Sequence, residues 1–238
     1  MRTMRQPLVP RDPTEEHRTA TPLELFFDLV FVVAIASASA ELHHGLAEGH
    51  LDAVLGFGMT FMAIWWAWMN FTWFASAYDP DDVGYRLLAF VIMTGSLMLA
   101  AGVPGFAEDG QSGLMVAGYA VMRLAMVALW LRAAAGHPER RRTCLTYAGG
   151  ITLVQVLWVA RLPLEDPTLL VATFFGGMAL ELLVPYVAER NGRTPFHPEH
   201  ISERYGFFTI IVLGEVVLST VLAVRERWAA TTSPGWCR

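Results

Sequence analysis

The chain has 238 residues, 54% apolar and only 16% charged, and its mean hydropathy of +0.41 excludes an ordinary soluble domain and assigns it to a bilayer. A formal charge of -5 without a basic stripe argues against nucleic acid as a partner. All 17 basic residues are Arg; the absence of Lys excludes Schiff-base chemistry and a phosphate-loop lysine, and Cys144 and Cys237 provide neither a disulfide framework nor a Cys-based zinc site, so no cofactor is expected.

Residues 1–20 form a polar, Pro-rich tail. The apolar run from Leu23 to Leu42 is longer than a signal-peptide core and is followed by six more such runs, so the first helix is retained. Crossing roughly 30 Å of hydrocarbon takes about 20 helical residues. Further spans are expected near 51–76, 86–105, 114–135, 144–160, 168–188 and 206–224, separated by breakers such as Asp79-Pro80, Gly136-His137-Pro138 and Pro163 to Pro167. The expectation is an all-α polytopic bundle of seven membrane helices over residues 21–224.

In the first span Glu24 and Asp28 are four residues apart and share a face. Seventeen residues at about 100° each return Glu41 to within about 20° of Glu24, so Glu24, Asp28, Phe31, Ile35 and Glu41 form one stripe directed away from lipid. A functional reading makes these acids parts of a proton or ion path. The plain reading has Glu24 serving the helix start after Thr21-Pro22 and Asp28 pairing with an Arg. In the second span Trp65, Trp66, Trp68, Trp73 and Tyr78 read as interface anchors and packing, and Asn70 as an interhelical hydrogen bond. Asp79 and Arg86 flank the next loop, either paired or solvated. Arg123, mid-way along the fourth span, requires a carboxylate from among Glu181, Glu215 and Asp28. The span 144–160 is the weakest, holding Gly149, Gly150 and Gln155. Glu181 precedes Pro185 by one turn, and Glu215 follows Gly214 at the centre of the last span. Three acids against one Arg leave a surplus carboxylate, the condition for titration or cation binding.

His197, His200, Glu203 and Arg204 precede the seventh span and are expected at the cytoplasmic surface; Pro195 and Pro198 argue against helix before residue 199. Neither this group nor Glu41, His43, His44, Glu48 and His50 has zincin spacing, and no metal site is assigned. With the N-terminus inside, twelve Arg fall in inner segments and four (Arg161, Arg225, Arg227, Arg238) in outer ones, which predicts a cytoplasmic N-terminus.

Two stretches carry a resemblance: TPLELFFDLVFVV over Thr21 to Val33, and HISERYGFFTIIVLGEVVL over His200 to Leu218. They resemble the low temperature requirement protein A (LtrA) family of bacterial multi-pass membrane proteins over residues 20–224. The resemblance singles out Glu24, Phe26, Phe27, Asp28 and Phe31, then His200, Glu203, Arg204, Gly206, Gly214 and Glu215. It implies a place in the bacterial inner membrane and a link to growth in the cold, without a molecular activity. Members of the family usually continue through further hydrophobic helices, so the tail 225–238 is read as that of a short member or a truncation. The expected function is ion- or proton-coupled transport through Glu24, Asp28, Arg123, Glu181 and Glu215, with the lipid bilayer and a small ion or proton as partners. Alternatives are a membrane-embedded enzyme or lipid-related factor using His200, Glu203 and Arg204, and a non-catalytic sensor or assembly protein. Oligomeric state is not legible.

Overall fold

The computed structural model describes residues 8–12, 15 and 18–232. Seven helices follow one another: α1 Pro22–Glu48, α2 Ala53–Ala77, α3 Val83–Asp109, α4 Gly113–Gly136, α5 Arg141–Ala160, α6 Pro167–Glu189 and α7 Pro198–Thr232, with a 3-10 turn at Pro138–Arg140. There is no strand among the described residues. All seven helices are long and apolar enough to cross a membrane, including the weak fifth span. Short connections alternate their direction, so α1, α3, α5 and α7 start at one end of the bundle, here the proximal end, and finish at the distal end.

The helix starts follow local chemistry. Thr21 closes a capping box with Glu24, and Pro22 stands in the first turn, where no backbone donor is needed. Asp82 and Asp166 cap α3 and α6 through Tyr85 N and Leu169 N. Gly49 ends α1 at φ 87°, a left-handed conformation that favours glycine.

Packing centres on α3 and α4, with α1 on α3, α5 on α4, α6 on α5, and α7 against α1 and α2. A Cβ on Gly118 would meet the backbone of Gly95 and Leu99 at 2.5 Å, so glycine is what lets α3 and α4 approach so closely. The stripe of α1 is buried at Glu24, Asp28, Phe31 and Ile35, and half-buried at Glu41.

Two expectations about α7 are corrected. The helix begins at Pro198 rather than at 206, because proline is tolerated in the first turn and His197 Nδ1 accepts from His200 N at 3.3 Å. The His200 motif is therefore helical and sits inside the bundle rather than on its surface. Ile211 and Val212 still pack against the core; beyond them the helix is largely exposed, with Leu213, Val217 and Val221 open.

The N-terminal segment crosses the proximal end. Leu8 is buried and lies against Gly136. Arg11 N donates to Ala77 O at 3.0 Å, and the Arg18 guanidinium reaches the carbonyls of Ala75 and Ser76 at the end of α2. Burial, then the charge of Arg11, lowers the Arg18 pKa from its usual value.

Candidate functional site: two buried charge centres

The first centre lies near the proximal end between α1, α2 and α7. Arg204 donates from Nε to Asp28 Oδ2 at 3.1 Å and from Nη2 to Asp28 Oδ1 at 2.6 Å, a bidentate clamp. Its Nη1 lies 2.9 Å from Glu24 Oε1, and His200 Nε2 lies 3.2 Å from the same oxygen. Glu24 Oε2 accepts from Thr21 N at 2.8 Å, so the first-turn role and the ion pair belong to one carboxylate. Trp68 donates its indole N–H to Asp28 Oδ1 at 2.6 Å, and Thr72 Oγ1 accepts from Arg204 at 3.4 Å. Glu24 is 1% exposed, and Asp28, His200 and Arg204 are 0% exposed.

Helical spacing makes this arrangement possible: Glu24 and Asp28 are one turn apart on α1, and His200 and Arg204 are one turn apart on α7. Two acids on one helix meet a base and a cation on another. Glu203, on a different side of α7, accepts from Ala20 N at 3.2 Å and ties down the N-terminal segment. Tyr85 contributes a fully buried hydroxyl with no hydrogen-bond partner. Nearby, Asp79 lies 3.8 Å from Arg11; burial, then the charge of Glu24, raises its carboxyl above the usual carboxylate range. Arg86 pairs with Asp81 at 2.5 Å, so Asp79 and Arg86, read as either paired or solvated, each have another partner.

The second centre is at mid-depth. Glu181 Oε2 accepts from Arg123 Nη2 at 2.5 Å and from Trp66 Nε1 at 3.0 Å; Oε1 accepts from Tyr119 OH at 3.0 Å and from Trp158 Nε1 at 3.3 Å. One carboxylate on α6 thus gathers donors from α2, α4 and α5. Among the three candidate partners for Arg123, the structure has Glu181. Asp28 belongs to Arg204, and Glu215 belongs to neither centre. It is half-buried at the start of the largely exposed stretch of α7, and accepts a weak bond from Ser219 at 3.4 Å. Its central place in the sequence of the span did not make it central in the bundle.

Sequence reasoning missed Trp66, Trp68, Trp158, Tyr119, Thr72 and Tyr85. Trp66 and Trp68 are 3% and 0% exposed, which fits packing rather than an interface belt, whereas Trp73 is 36% exposed. Their signal was an indole N–H inside a span, which needs an acceptor there. Asn70 donates to Trp66 O within its own helix at 2.8 Å rather than across helices.

A third polar group joins the proximal ends of α2 and α4. Tyr78 OH lies 2.9 Å from His137 Nδ1 and 3.7 Å from the buried Cys144 Sγ. Burial lowers the His137 pKa and raises that of Tyr78, which keeps both neutral. No group of three His, Cys, Asp or Glu with metal-binding geometry occurs among the described residues. An apolar groove of about 740 Å³ lies between α2 and α6 in the distal half, lined by Leu55, Met59, Met62, Phe174, Met178 and Leu182 among others, and no ionisable side chain faces it.

Comparison with known proteins adds identity to this geometry. The family model for the bacterial low temperature requirement A protein (LtrA) matches residues 19–235, reaching past the 224 at which the motif resemblance ended. An uncharacterized protein of Rhizobium meliloti (strain 1021) is 29% identical over 219 residues, 88% of this chain and 52% of the relative. The chain therefore spans about half the length of the curated relative it matches. No solved structure matches.

Proposed function

The chain belongs to the bacterial low temperature requirement A family of integral membrane proteins, and on that premise we propose that it moves a proton or small cation through the proximal centre of Glu24, Asp28, His200 and Arg204. The observation that carries this reading is the charge balance of the proximal centre. Glu24, Asp28 and Arg204 sum to one negative charge, all at 1% exposure or less. Uncompensated charge in so dry a place is costly. One proton on the centre restores neutrality, and so does one small cation. Proton and cation then compete for the same position, which is the minimal condition for exchange.

The parts divide the work. Arg204 holds Asp28 in a fixed bidentate pair, so each of the two side chains positions the other. Glu24 faces both Arg204 and His200 and can release one partner while keeping the other. The bias of Arg toward the expected inner segments supports reading this centre as turned toward the cytoplasm of a bacterial inner membrane. The Arg123–Glu181 centre has the character of a lock: one carboxylate saturated by four donors holds four helices in register.

The test uses the full chain in proteoliposomes with an internal pH indicator and imposed proton and sodium or potassium gradients. The wild type is expected to move protons against one of these cations, and Glu24→Gln and His200→Asn to lose that flux while remaining folded. Wild-type flux in both variants, or no flux in any condition with folded wild-type protein, overturns the reading.

A further inference from the structure

The second charge centre carries more polar capacity than its protein partners use. Arg123 is 1% exposed and donates only through Nη2; its Nε and Nη1 have no hydrogen-bond partner. Gln155 on α5 is 6% exposed, and neither end of its amide has a partner. Two ring pairs give the antiparallel register of α4 and α5: Tyr119 with Trp158, centroids 6.0 Å apart, and Trp130 stacked on Tyr147 at 4.0 Å. That register sets Arg123 opposite Val154 and Gln155. Gln155 also lies one turn before Trp158, whose indole reaches Glu181. The unmet donors of Arg123 and the unmet amide therefore share one layer between α4, α5 and α6.

We propose that this layer is a binding site for water, one or two molecules held between the Arg123 guanidinium and the Gln155 amide. In hydrocarbon, unpartnered polar groups have no outside solvent to turn to, and native membrane proteins satisfy them internally. The chemistry selects the guest. Arg123 and Glu181 already neutralise one another, so a charged guest would bring an uncompensated charge into a dry place. The guest must be small and neutral, with an acceptor for the guanidinium and both an acceptor and a donor for the amide. Water does this with about three hydrogen bonds per buried molecule. The inference stands apart from the transport reading, since a hydrated lock and a dry one hold helices equally well.

The experiment is hydroxyl-radical labelling by X-ray radiolysis of the full chain in nanodiscs, read by mass spectrometry, because radicals form at bound water and label what touches it. Tyr119 and Trp158 are expected to be oxidised severalfold faster than Phe71 and Phe74, which are fully buried and stack on other rings, and the excess is expected to vanish in Gln155→Leu. Parity between the two pairs in the wild-type protein overturns the proposal, whatever the variant does. Undiminished excess labelling in folded Gln155→Leu also overturns it, since the water would then lie elsewhere. Neither readout depends on transport activity.

Discussion

Replacing Arg123 with Leu strands the Glu181 carboxylate among apolar side chains, and removing one member of a buried pair costs about 3–5 kcal/mol. That loss is expected as a large drop in the unfolding midpoint of purified protein. The double variant R123L/E181L should recover part of it, because no buried charge remains, but not all, since Trp66, Tyr119 and Trp158 lose their acceptor. A double variant as unstable as the single one would mean that the pair is not the origin of the loss. His137 gives a prediction in pH. Its pKa is lowered by burial in the fold, so below about 6.5 the unfolded chain takes up a proton that the folded chain resists. Stability is then lost as pH falls from that value toward the lowered one. His137→Gln should flatten this slope in thermal unfolding between about pH 5 and pH 7.

At the level of helices, the closest approach in the bundle belongs to α3 and α4. Gly118→Ala places a methyl group 2.5 Å from the backbone of Gly95 and Leu99, where no flexible side chain can yield. Overpacking of this kind costs about 1–3 kcal/mol or more, whereas Gly149→Ala, with open space around its position, should be nearly neutral. Paired unfolding curves of the two variants decide it. Much of this level is legible in sequence. Hydropathy located all seven helices because a span must be long and apolar, and the α1 stripe followed from helical spacing alone. The start of α7 was not legible, because Pro195 and Pro198 signal a break while Pro198 in fact opens the helix. Nor was the choice between Glu181 and Glu215: both lie in apolar runs next to small residues, and an oily sequence looks the same whether it faces lipid or protein. The tryptophans read as anchors and packing, without their bonds to buried carboxylates, since an indole suits an interface and a buried carboxylate equally well.

Across the whole molecule, α7 is attached unevenly. Its first three turns are bound into α1 and α2 by Arg204, His200 and the stacking of Phe208 on Trp68, while residues 216–222 are all exposed. Arg204→Leu should therefore release α7 before anything else. Hydrogen exchange in nanodiscs is expected to rise along residues 198–208 while the α3–α4 pair stays protected. Uniform loosening of all seven helices would contradict this hierarchy.

The N-terminal segment has a consequence for the order of assembly. Leu8 seats on Gly136, Arg11 and Arg18 hold the last carbonyls of α2, His197 meets Glu15 O at 2.9 Å, and Ala20 N meets Glu203. Half of these sites lie on α7 or the loop before it, so residues made early must wait for residues made late. The contacts of Glu15 and Ala20 can close only when the seventh helix has left the ribosome and entered the bilayer, so the N-terminal segment finishes locking after α2 and α4 are in place.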